Sequence, residues 1–327
     1  MTVLLLIAGI AIAVVAADLL VDGGVALARR WGIPSLVVGA IVVGFGTSMP
    51  ELIVNVSAAL KGSTDLAMGN ILGSNLFNLC VVMAVAALVR PLVVSGDSRA
   101  KDLPMCLLAT ALIGVCGNQL YWDGINYHEL MPSSGIIMLM FFGIYLYYTL
   151  GETQVGAQHK QPTQARHHAK TVAEDGPPVW RAGLFLVLGL AGLLVGGEMI
   201  VDNATAIASS FGISERLIGL LIVGPGTSVP ELFASVAAAL KKQSDMVVGN
   251  VLGSCIFNIL FIIGITSFIL PVPMDQALNQ IVLFTLAVIA VISAVVWFGR
   301  GHVIGRLLAV GLLAVYIAQS VWSVMAG

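Results

Sequence analysis

Two glutamates, Glu51 and Glu231, stand inside apolar stretches, each directly after a proline: "GFGTSMPEL" from Gly44 and "GPGTSVPEL" from Gly224. A carboxylate at membrane depth is costly to bury and marks a functional site by default. Pro50 lacks an N–H, so the Gly46 carbonyl loses its helical partner; Pro230 does the same to Gly226. A carbonyl freed in a membrane must be satisfied by protein, water or an ion. Thr47 and Glu51 share one helix face with Ser48 on its shoulder, and the second copy offers Thr227, Ser228 and Glu231. Downstream, Asn70, Ser74 and Asn78 form an i, i+4, i+8 stripe, matched by Asn250, Ser254 and Asn258. Carboxylates, hydroxyls, amide oxygens and freed carbonyls are hard ligands. With no His or Cys in the cluster, they disfavour zinc, copper and iron and suit Ca²⁺, or Na⁺ on the same donors. Two ionised glutamates balance one Ca²⁺ or two Na⁺, and competition for such a site is a physical basis for exchange.

Taken singly, these residues mean less. A Ser or Thr in a membrane helix more often bonds its own backbone, and a lone Pro more often only kinks a helix. Duplication changes the weighing. Residues 44–80 align with residues 224–260 at an offset of 180 without a gap, and roughly 20 of the 37 positions are identical. The identity concentrates in glycine and polar positions, where simple packing surface would not need it.

The elements that must carry these residues are membrane helices. The chain of 327 residues is 58% hydrophobic and 10% charged, with a mean hydropathy of +1.00. A soluble domain carries about 25% charged residues, and apolar segments of about 20 residues recur here from end to end. The first apolar run lacks a basic leader, since the first positive residue is Arg29, and reads as a membrane helix rather than a signal peptide. Ten spans are expected near 3–28, 33–60, 66–89, 104–121, 134–150, 181–208, 213–240, 246–270, 280–298 and 302–324. Alternating the loops between two sides places about 13 Lys/Arg on one and 2, Lys61 and Arg216, on the other. The rich side is then cytoplasmic and both termini lie outside. The expected fold is all-α and polytopic: a five-helix repeat over 1–150, a cytoplasmic hydrophilic linker over 151–180, and a second five-helix repeat over 181–327. An odd span count per half makes the repeats inverted, a plan of secondary transporters with the site near the midplane.

Asp18, Asp22, Glu198 and Asp202 fall inside the first and sixth spans, where they could line an access path or cap and solvate. Asp65 and Asp245 precede the third and eighth spans as candidate N-terminal caps. His159, His167 and His168 read as solvated linker, and Cys80, Cys106, Cys116 and Cys255 as small buried hydrophobes.

"GTSMPEL" with "GNILGSNLFN", repeated as "GTSVPEL" with "GNVLGSCIFN", resembles the paired α-repeats of the calcium/cation antiporter superfamily, specifically prokaryotic sodium/calcium exchangers. The resemblance covers nearly the whole chain. It implies Glu51 and Glu231 as central ligands shared by Ca²⁺ and Na⁺, with Thr47, Thr227, Asn78 and Asn258 beside them. It further implies Na⁺ ligands at Ser48, Ser74, Ser228 and Ser254 and at carbonyls near Gly44 and Gly224, and first and sixth spans that slide to alternate access. Some archaeal and potassium-dependent exchangers of the family carry an Asp where this chain has Asn258; the Asn here weakens the case for K⁺ co-transport and leaves two carboxylates rather than three. The proton-coupled branch reads Gly-Asn-Ala before its glutamate; Gly-Thr-Ser here points to Na⁺ as driver, with H⁺/Ca²⁺ antiport the alternative. A cation channel fits less well, because channels are symmetric oligomers around ligand rings. No catalytic residue and no cofactor is implied. The expected partners are the two ions as substrates and the lipid bilayer of the cell (inner) membrane, not nucleic acid, for a monomer or weak oligomer. Phe45 against Pro225 predicts that the two copies bend differently, with the seventh span the more distorted.

Overall fold

The computed structural model describes residues 1–31, 33–60, 64–118, 128–159, 178–212 and 224–326. Leucine- and alanine-rich runs without internal proline form the two longest helices, α1 (Thr2–Trp31) and α7 (Val179–Ser210). Between them come α2 (Ser35–Thr47) and α3 (Met49–Leu60), bent by 47° at Ser48. A helix then runs from Thr64–Phe77 through the π-segment Asn78–Val82 into Met83–Val89, together α4. α5 (Leu103–Cys116) and α6 (Pro132–His159) complete the first half. The second half contains the turn Gly224–Gly226, α8 (Val229–Leu240), α9 (Ser244–Ile269), α10 (Gln276–Phe298) and α11 (Arg306–Ala326). Six of these helices are long and apolar enough to cross a bilayer, or seven with the bent pair α2–α3 as one span; α8 and Arg306–Trp322 of α11 are shorter apolar helices.

The helical expectation needs one correction. Short antiparallel strand pairs are present: β1 (Leu92–Val93) with β4 (Val303–Ile304), and β2 (Glu129–Leu130) with β3 (Val272–Pro273). Each joins a loop of the first half to one of the second, and β1 and β3 differ by the same 180 residues as the sequence repeat. Two-residue strands carry too little alternation to be read from sequence. Within the linker expected over 151–180, α6 continues to His159 and α7 begins at Val179; His167 and His168 lie outside the described residues.

α9 is buried along nearly all its length and forms the centre. Glycine lets α2 reach it: a Cβ on Gly253 would lie 2.6 Å from the Ala40 Cα, and one on Gly39 2.5 Å from the Met246 carbonyl oxygen. α1 and α7 form an antiparallel pair sealed the same way. Gly9 faces Gly196 and Met199, and Gly23 faces Ala182 and Leu186. A Cβ on Gly189 would lie 2.6 Å from the Leu20 amide nitrogen. Before α5, a π-turn Ser98–Asp102 buries Asp102 to 5% exposure. Burial pushes its carboxyl up to about 7.

Candidate cation site

The helices are interrupted at both proline–glutamate motifs, but the Gly46 carbonyl, expected to be freed by Pro50, accepts a backbone N–H at the break. The chain leaves helical geometry at Ser48 (φ −83°, ψ 11°) and Ser228 (φ −93°, ψ 10°), and helix resumes at Met49 and Val229. The breaks are not alike. The Ser48 amide donates to the Gly44 carbonyl four residues back, whereas the Ser228 amide donates to the Pro225 carbonyl three back. The second copy is the tighter turn; Leu221, whose carbonyl Pro225 should free, lies outside the described residues. Phe45, the counterpart of Pro225, stacks on Phe257 at 4.5 Å between ring centroids, so the first copy has packing the proline cannot supply.

The breaks bring the two halves onto each other. Ser48 Oγ donates to Glu231 Oε1 at 2.9 Å, and Ser228 Oγ donates to Glu51 Oε1 at 3.2 Å. These bonds are related residue for residue by the offset of 180. Both glutamates are fully buried, and among the described residues no Lys, Arg or His pairs with either. Ser74 Oγ lies 3.2 Å from Thr227 Oγ1. The Thr47 hydroxyl donates to the Val43 carbonyl at 2.9 Å. Ser254 Oγ donates to the Gly44 carbonyl at 3.1 Å, so this oxygen, expected to face a cation, is already engaged by Ser48 N and Ser254.

Asn78 and Asn258 are buried in the π-segments Asn78–Val82 and Phe257–Ile263. π-Segments recur at functional sites, and no residue pattern announced these two. At the two motifs and the π-segments, Glu51 Oε2, Glu231 Oε2, Asn78 Oδ1 and Asn258 Oδ1 are buried without a hydrogen-bond partner among the described residues. Each such atom costs about 1–3 kcal/mol unless something satisfies it. Hard oxygens carrying two carboxylate charges fit a hard cation such as Ca²⁺ or Na⁺.

Sequence reasoning undervalued four supporting polar residues. Asn250 donates to Ser235 Oγ at 2.8 Å and to the Glu231 carbonyl at 3.3 Å; Asn55, the counterpart of Ser235, donates to the Glu51 carbonyl at 2.7 Å. Asn75 donates to the Cys255 carbonyl at 3.1 Å and accepts from Asn258 Nδ2 at 3.0 Å. Its position as partner of Cys255 in the repeat was the available signal. Asp245 lies in the first turn of α9, but the cap there is Gln243, without a side-chain hydrogen bond.

The four acidic residues of the long helices divide. Glu198 and Asp202 on α7 line a cavity of about 390 Å³ that also touches Pro50, Val54, Thr227 and Pro230, and so reaches the site. Asp18 and Asp22 on α1 instead pair with Lys241 at 2.9 and 2.8 Å.

Known proteins resemble this chain in sequence and in fold. A sequence model of the family described as "Sodium/calcium exchanger protein" matches residues 1–151 and 181–325. The chain is 36% identical over 325 residues to the inner membrane protein YrbG of Escherichia coli (strain K12), covering 97% of this chain and 96% of that one. It is 25% identical over 339 residues to the sodium/calcium exchanger MaX1 of Methanosarcina acetivorans, covering 96% of each. Among solved structures, the sodium-calcium exchanger NCX_Mj superposes with a TM-score of 0.80 at 28% identity, covering 97% of both chains. With fold, motif pair and full-length match in agreement, this chain belongs to the sodium/calcium exchanger protein family.

Proposed function

We propose that this chain is a Na⁺/Ca²⁺ antiporter of the cell (inner) membrane that works by alternating access. Its ten spans form two inverted five-helix repeats (1–150 and 181–327), with both termini outside and the linker cytoplasmic. The single observation that carries the reading is the pair of fully buried glutamates, cross-bonded between halves through Ser48 and Ser228, each with a second buried carboxylate oxygen that has no hydrogen-bond partner among the described residues. Two charges in such a setting neutralise one Ca²⁺ or two Na⁺ but not both sets together. Binding of one ion species therefore displaces the other, and exchange follows when the same site meets first one side and then the other. Glu51 and Glu231 bind both ions, with Thr47, Thr227, Asn78 and Asn258 beside them; Ser48, Ser74, Ser228 and Ser254, with the Gly224 backbone, complete the Na⁺ arrangement. Pro50 and Pro230 hold the helices open at the site. The ions are substrates, and no cofactor takes part.

The test uses proteoliposomes loaded with Na⁺. An outward Na⁺ gradient should drive radioactive calcium uptake, and collapsing that gradient should stop it. Uptake that ignores Na⁺ and follows a pH gradient instead would assign H⁺ as the counter-ion, and calcium flux independent of any counter-ion would identify a channel.

A further inference from the structure

Pseudo-symmetry supplies two potential mouths to the site, and the structure treats them differently. The cavity at Glu198 and Asp202 has Val54 at 45% exposure and Ile53 at 62% on its α3 wall. Subtracting or adding 180 gives the counterparts on the other side: Asp18 and Asp22 for the acidic pair, Ala234 for Val54 and Val21 for Val201. Ala234 is 1% exposed and Val21 is fully buried, although Val201 is only half-buried. Because α1 and α7 run antiparallel, with Gly9 beside Gly196 and Gly23 beside Ala182, the two acidic pairs stand on opposite sides of the middle of that helix pair. The separation is about 13 residues along α7, roughly 20 Å at 1.5 Å per residue. One mouth is open and its counterpart is shut.

The shut mouth carries a fastening. Lys241 Nζ sits between Asp18 Oδ1 at 2.9 Å and Asp22 Oδ1 at 2.8 Å, and donates to the Asp18 carbonyl at 3.0 Å. Among the described residues no ion pair reaches Glu198 or Asp202. The backbone aims this lysine. Gln243 N bonds the Ala238 carbonyl and Lys242 N the Ala239 carbonyl, with Lys242 at φ 63°, which closes α8 in a Schellman turn and leaves Lys241 as its last helical-edge residue. A non-glycine residue in this left-handed conformation is uncommon, so the turn holds Lys241 against α1 at some backbone cost. Lys61, the counterpart of Lys241 in the repeat, lies outside the described residues.

We propose that Lys241 is a latch: gripping Asp18 and Asp22, it ties α8 to α1 and keeps the mouth on the Lys/Arg-rich side closed while the Glu198/Asp202 mouth is open, and it releases when access alternates. Lys241 is thus a positioning residue that biases which face the ion site meets, not an ion ligand. The proposal rests on the alternating-access reading, but its readout does not depend on which ions are carried.

The experiment places a single cysteine at Ala234 (A234C, shut mouth) or at Val54 (V54C, open mouth) in the full chain in membranes. A membrane-impermeant maleimide is applied to each side, with the chain lacking the added cysteine as background. Each partly exposed pair contributes a factor of about 1.4 to 5, so Lys241→Gln should shift the balance of the two mouths by about 2- to 25-fold. Labelling of A234C should rise and labelling of V54C should fall by comparable factors. Lys241→Glu should behave similarly, and adding Asp22→Lys to it should return both rates to the wild-type values. Unchanged rates, or a rise at both mouths together as in a loosened fold, overturn the latch. Sodium-driven calcium uptake, measured on the same proteoliposomes, reports separately on the transported ions. If wild-type uptake is absent while the opposed labelling shift persists, the ion assignment fails and the latch stands.

Discussion

Replacing Glu51 with glutamine removes one negative charge and almost nothing else. The glutamine side chain keeps an oxygen for the Ser228 hydroxyl, which lies 3.2 Å from Glu51 Oε1, and occupies nearly the same buried volume. The loss is therefore electrostatic and can be bounded. Ca²⁺ binds carboxylate oxygens at about 2.3–2.6 Å. A divalent ion and a unit charge about 2.5 Å apart attract by ~3 kcal/mol even under the full screening of bulk water. Burial weakens the screening while carboxylate desolvation offsets it, so ~3 kcal/mol bounds the scale of the loss. That bound corresponds to a weakening of calcium affinity by about 100-fold. Binding is read by titrating purified protein in detergent with calcium, and transport by radioactive calcium uptake into vesicles. Without calcium the variant should melt no lower than the parent, because a buried unpaired charge has been removed. Glu231→Gln should match it, since the Ser48–Glu231 bond at 2.9 Å is the repeat counterpart. A calcium Kd for Glu51→Gln within tenfold of the parent would refute the role of this carboxylate as a ligand.

Three further outcomes are expected. Gly189→Ala puts a methyl 2.6 Å from the Leu20 amide nitrogen and 2.8 Å from the Ala16 carbonyl oxygen, so α1 and α7 must separate; thermal unfolding should show a loss of about 1–3 kcal/mol. Asn75→Ala orphans the Asn258 amide and the Cys255 carbonyl, costing about 1–3 kcal/mol in the same assay and weakening calcium binding through the misplaced Asn258. Asp102, pushed up to about 7 by burial, stays protonated in the fold while the unfolded chain ionises near pH 4. Its contribution to stability is therefore present at low pH and lost as pH rises toward and through 7. Asp102→Asn should flatten that decline by up to ~4 kcal/mol, measured by unfolding midpoints at pH 4.5 and pH 8.

Much of this protein is legible along the chain because a membrane limits what a sequence can do. Burying backbone in hydrocarbon demands helices, so long apolar runs locate them. A mid-membrane carboxylate beside a proline is too costly to be incidental, and its duplication 180 residues later ties two distant segments to one task. Helix breaks at Ser48 and Ser228 follow from those prolines by local sterics alone. What tertiary structure alone decided are the relations between halves, because nothing local distinguishes one oxygen-bearing side chain from the next. It crossed Ser48 to Glu231 and Ser228 to Glu51, left the second carboxylate oxygens unsatisfied, and set Asn78 and Asn258 in π-segments. It turned the Gly44 carbonyl to Ser254. It also separated acidic pairs that sequence could not tell apart: Glu198 and Asp202 line an open cavity, whereas Asp18 and Asp22 hold Lys241. The 180-residue repeat supplies two matching acidic pairs, but a single folded conformation gives them different surroundings, and that choice lies in the packing of α1 and α7 against the core.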